Sequence, residues 1–92
     1  MPAAERILVF GDVIDDIIVV PSGPIRVDTD TPSAIRSRAG GSAANTAAWL
    51  AEAGTDVAFV GRCATTDVER HTTLLATGGV DARFIGDDER PT

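Results

Sequence analysis

The chain has no lysine and no tyrosine, and only one cysteine, one tryptophan, one methionine and one histidine among its 92 residues. A single cysteine, Cys63, excludes an internal disulfide and a cysteine-based zinc cluster. Its place after an apolar run suits a small buried residue near a strand end. The lone His71, beside Thr72 and Thr73, reads as a helix-surface residue, and no metal site is expected. Three phenylalanines and Trp49 are the only aromatics, so Ala, Val, Ile and Leu must build the core. No apolar run approaches the length of a membrane span. The run Ile7-Leu8-Val9-Phe10, after Glu5 and Arg6, is too short for a signal peptide, and a cytoplasmic chain is expected. All eight basic residues are arginine against fourteen acids, giving a net charge of −6. An acidic chain without a basic cluster argues against nucleic acid and anionic membranes as partners. The length permits one small domain, which would bury about 60–65% of its unfolded surface.

What is present centres on Arg38-Ala39-Gly40-Gly41-Ser42-Ala43-Ala44-Asn45. The glycine pair ends an extended segment and opens a helix. Without a Cβ, glycine lets a ligand approach the main chain closely. The helix start offers unpaired N–H groups and the positive end of a dipole. Asn45, in the first turn, can donate and accept together, as vicinal sugar hydroxyls require. A plain turn explains the same residues, with Ser42 as N-cap and Asn45 in the glutamate position of a capping box. A Walker A lysine and a complete G-x-G-x-x-G are both missing.

Around this corner the chain alternates between strand and helix patterns. Ile7–Phe10 fits a strand buried on both faces. Asp12–Val20 continues β-rich, and in a regular strand Asp12, Ile14, Asp16, Ile18 and Val20 would share one face. Alternatively, Gly11 breaks the strand and both acids line a wet loop. Pro21-Ser22-Gly23-Pro24 is a turn, and Ser33–Arg38 a second extended segment. Ser42–Ala53 is a helix with a small-residue stripe of Ala44, Ala47, Ala48 and Ala51, flanked by Trp49 and Leu50. Asp56–Val60 is a second buried strand, giving a parallel, right-handed unit. Asp67–Ala76 is a weaker helix, and Ala82–Ile85 a third strand.

In this order the motifs resemble the N-terminal part of the ribokinase-like (PfkB) carbohydrate kinases. The resemblance is carried by Gly11-Asp12 with Asp16, then Gly40-Gly41-Ser42-Ala43-Ala44-Asn45. It continues through the alanine-rich helix with Leu50 and Gly54, Val60-Gly61-Arg62, and Gly79-Val80-Asp81, from about Ile7 to Thr92. It implies an α/β fold: the N-terminal portion of a doubly wound parallel sheet with a small β lid, the lid being about residues 12–20 and 33–38. It also implies phosphorylation of a sugar hydroxymethyl group, or of a nucleoside, by MgATP. By the same resemblance Asp16 holds sugar hydroxyls, and Gly41 and Asn45 grip the same substrate. Ser42 faces the substrate at a variable place, and Asp12 follows the strand glycine. The loop Cys63–Glu69 departs from the family pattern, having lost its glycines and first acids. The general base and the ATP site are expected downstream, so no catalytic residue is assigned to this chain. A non-catalytic sugar-binding module and an inactive remnant of a truncated kinase are the alternatives. A homodimer through the lid is expected to cover Ile18, Val20 and Ile35, or closed substrate to do so. A sheet without its downstream strands is expected to show an unpaired edge and an uncovered face, and to self-associate.

Overall fold

Small side chains and a glycine start set the first helix. The computed structural model describes residues 5–92, so Met1–Ala4, the leading part of the segment read as too short for a signal peptide, lies outside it. Helix α1 spans Ser42–Glu52, with Ala44 and Ala47 fully buried. Methyl-sized side chains on that stripe let the helix lie close on the strands beneath it. Trp49, on the far side, is 76% exposed and adds nothing to this contact. Two threonines on the second helix, α2 (Val68–Thr77), turn their hydroxyls back to carbonyls four residues earlier: Thr72 to Val68 and Thr77 to Thr73. A short 3-10 turn, Thr65–Asp67, precedes α2, so the helix proper begins one residue later than the sequence suggests.

The helices cover one face of a parallel three-stranded sheet, ordered β1 (Arg6–Asp12), β4 (Asp56–Ala64), β5 (Asp81–Asp87). The register sets Val9 beside Phe59 and Phe59 beside Ala82. Alternate residues of β4 (Val57, Phe59 and Cys63) enter one core with Ala44, Ala47 and Leu75. Phe84 tilts against Phe59 with ring centres 5.6 Å apart. The opposite face has no such cover: Leu8, Phe10 and Ile85 are 49%, 68% and 67% exposed. The expectation that Ile7–Phe10 is buried on both faces is therefore corrected. β1 is an edge strand among the described residues, and its apolar run meets helices on one side only.

The remaining strands, β2 (Ile14–Pro21) and β3 (Ser33–Gly40), form a separate antiparallel ribbon. Their register pairs Ile14 with Gly40, Asp16 with Arg38 and Pro21 with Ser33. At the far end the Ser22 amide donates to the Pro32 carbonyl. Val13, fully buried, joins β1 to β2 and interrupts the strand. Asp12 consequently ends the core sheet while Asp16 belongs to the ribbon, and the two do not share one regular strand face. Neither does Gly11 break the strand, since β1 runs through it to Asp12. The ribbon gives the molecule extents of 64 × 34 × 18 Å. Among the described residues no helix is long and apolar enough to cross a membrane.

Candidate functional site

The end of β3 and the start of α1 bring the ribbon and the core together. Gly41 is the N-cap of α1 at φ 97°, a conformation that side chains other than glycine resist. A Cβ there would lie 2.9 Å from the Asp12 carbonyl oxygen, so the β1–β2 joint passes directly over it. A Cβ on Gly40 would overlap the carboxylate of Asp16, whose Cγ would lie 2.5 Å away. Asp16 therefore reaches diagonally across the ribbon and rests on the bare backbone of Gly40. Only glycine leaves that seat free.

No side chain caps α1. The reading of Ser42 as N-cap is thus corrected: Ser42 is the first residue of the helix, is exposed, and its carbonyl accepts the Thr46 hydroxyl at 2.8 Å. The backbone amide of Asn45 donates to the Gly41 carbonyl at 2.9 Å, leaving its exposed side chain uncommitted to the cap. The positive end of α1 opens next to the half-buried Asp16.

Asn45 lines a groove of about 200 Å³ between the helices, with Arg38, Ala39, Ala48 and Leu74. Asp16 does not line this groove. Arg38 connects the two places, being the register partner of Asp16 and a wall of the groove that holds Asn45. The structure thus brings Asp16, Gly40, Gly41 and Asp12 into one corner, with Asn45 one helical turn along. Gly40 is a participant that motif reading treats only as half of a glycine pair. Its signal is the register, which sets it two places beyond the partner of Asp16.

On the other side of β2 lies a second cluster that motif reading missed. Arg70 of α2 donates to both oxygens of Asp15, at 2.6 and 3.2 Å, and pairs with Asp67 at 3.2 Å. The guanidinium holds the Asp15 carboxyl below its usual range. The Asp67 carboxyl is lowered first by the Thr92 hydroxyl, then by Arg70. His71 is not a helix-surface residue: it is fully buried, its ring 6.1 Å from that of Phe84. Val68, His71 and Leu75 recur at helical spacing and carry the histidine inward with the apolar face. Cys63 is buried as expected, and burial pushes its thiol up, keeping it an inert apolar group.

Comparison with known proteins places this geometry. The family model described as pfkB family carbohydrate kinase matches residues 4–92. Among solved structures, a fructokinase from Xylella fastidiosa with bound ATP is 26% identical at a TM-score of 0.74, covering 98% of this chain and 28% of that one. A ribokinase from Cryptococcus neoformans var. grubii serotype A, in complex with ADP, is 27% identical at 0.60, covering 91% and 28%. A carbohydrate kinase from Agrobacterium tumefaciens, 23% identical at 0.70 over 96% and 29%, shares the fold. The chain thus spans under a third of the length of the structures it matches. A sequence comparison with curated proteins finds no match.

Proposed function

Since the chain belongs to the pfkB family of carbohydrate kinases, we propose that it is the sugar-binding N-terminal part of a kinase that phosphorylates a hydroxymethyl group of a sugar or nucleoside. The observation that carries this reading is the carboxylate of Asp16 seated on Gly40, beside the uncapped start of α1. In this reading the carboxylate accepts hydrogen bonds from two sugar hydroxyls, and Asn45 exchanges bonds with a third. Gly41 leaves room for the ring, while Ser42 and Asp12 border the substrate. The ribbon closes over it and excludes water, which strengthens each of these bonds.

The triphosphate donor does not fit the residues of this chain. Five of the eight arginines, Arg6, Arg62, Arg70, Arg83 and Arg90, are paired with carboxylates, and the other three, Arg26, Arg36 and Arg38, belong to the ribbon and its turn. No glycine-rich phosphate loop with a lysine is present. Transfer needs a positioned hydroxyl, an acceptor for its proton and neutralised phosphate oxygens. This chain contributes to the first, and the rest falls to the remainder of the kinase fold. A second reading is a sugar-binding module without transfer.

The test is calorimetric titration of the chain with ribose, fructose and adenosine, repeated with Asp16→Ala. A charge-assisted bond contributes about 1.5–3 kcal/mol. The variant should therefore bind the preferred ligand about ten- to a hundredfold more weakly, with its melting temperature unchanged. Equal binding by both chains would remove Asp16 from the site. ADP formation from sugar and MgATP by the chain alone would exclude the module reading.

A further inference from the structure

His71 is fully buried, and neither of its ring nitrogens has a hydrogen-bond partner among the described residues. Burying an unpartnered imidazole is costly, since its donor and acceptor both lose water. Its Nε2 nevertheless lies 3.1 Å from Asp15 Oδ1, off the hydrogen-bonding direction. That separation is close to the roughly 3.3 Å between two ligands each about 2.0 Å from a tetrahedral dication. Asp67 completes the group: Asp15, Asp67 and His71 each offer a ligand atom, all within 4.8 Å of one another. Asp67 is itself held in place by the Thr92 hydroxyl, which donates to Oδ2 at 2.5 Å and accepts from the Ala64 amide. Such outer partners are how proteins aim metal-binding carboxylates.

We propose that Asp15, Asp67 and His71 bind a divalent transition-metal ion of the zinc class. One imidazole nitrogen with two carboxylates suits zinc or cobalt rather than magnesium or calcium, which take oxygen ligands only. Arg70 now supplies the positive charge, pairing with Asp15 and Asp67. Its side chain is 42% exposed and can turn outward when a metal takes its place. The ion would tie β2 of the ribbon to α2 of the core. In a chain with one cysteine and a small core, such a staple adds directly to folding stability.

The test titrates the 92-residue chain with cobalt chloride, read by visible absorption, and with zinc chloride, read by calorimetry and melting temperature. The expected result is saturable binding of a single equivalent and a melting temperature that rises with zinc. Asp67→Asn and His71→Gln should each weaken binding more than about tenfold. Arg70→Ala should strengthen it several-fold by removing the competing charge. If His71→Gln does not fold, Asp67→Asn carries the test, because Asp67 is only partly buried. Binding undiminished in Asp67→Asn overturns the proposal. So does the lack of saturable binding in both the parent chain and Arg70→Ala.

Discussion

In the parallel sheet, Val57 and Phe59 are 1% and 0% exposed, whereas in the ribbon Ile17 and Ile35 are both 67% exposed. Both regions are strands rich in branched side chains, so β-propensity does not separate them. What separates them is cover. Helix α1 lies over β1 and β4 and helix α2 over β5, and nothing among the described residues lies over the outer half of the ribbon. The core sheet is consequently fixed by packing, and the ribbon by its own register and by the corner where Gly40, Gly41 and Asp16 meet. A rigid floor with a loosely covered flap is the division of labour that the proposed substrate site would use.

The largest expected effect breaks the comparison at its extreme. Phe59→Ala should cost about 3–5 kcal/mol, against a change within about 0.5 kcal/mol for Ile17→Ser, both read from urea unfolding. A ribbon substitution as costly as the core one would mean that Ile17 is covered in solution. A smaller effect sharpens the comparison at the corner. Gly41→Ala forces a side chain into φ 97° and against the Asp12 carbonyl, and should cost about 1–3 kcal/mol. Gly23→Ala, in the ribbon turn with open space around it, should be neutral or slightly stabilising by the same measurement.

The smallest effect lies at the far end of the core sheet and depends on pH. The Asp87 carboxyl is held well below the usual carboxylate range, first by the Glu89 amide and then by Arg62 and Arg90. A folded value depressed below the unfolded one gives stability that is complete above about pH 3.9 and fades as the pH falls through that value towards the folded one. Asp87→Asn should therefore unfold at lower urea than the parent at pH 7, the gap narrowing steadily below pH 4. A gap that persists unchanged at pH 2 would assign the loss to geometry rather than to charge.

Much of this was legible in the residues. The glycine corner, the alanine stripe of α1, the parallel order and the paired ribbon strands all follow from local chemistry and period. The burial of β1 did not, because an apolar run tells that a strand wants cover and not whether cover exists. His71 was misread by composition: beside two threonines it looks like surface, yet its spacing from Val68 and Leu75 sets it on the inner face. Asp15 was overshadowed by Asp16, its neighbour on the opposite face of β2. In the candidate site, Asp16 and Gly41 could be named from motifs. Gly40 as the seat of the carboxylate needed the strand register, a property of two segments together.

The ribbon inserted between β1 and α1 also bears on how quickly the chain can find its fold. Arg6 of β1 pairs with Asp56 of β4 across 50 residues, a slow, non-local closure. The ribbon strands lie inside that span and meet through a much shorter turn, Ser22 to Pro32. If they zip first, the stretch that must still close is shortened, and each halving of a loop is worth about 0.6 kcal/mol of closure entropy. Ile18→Pro, which removes an amide from the ribbon ladder, should then slow refolding more than it speeds unfolding, and the opposite partition would place ribbon formation after the main barrier. An insertion that looks like a detour in the chain would thereby serve as a shortcut in time.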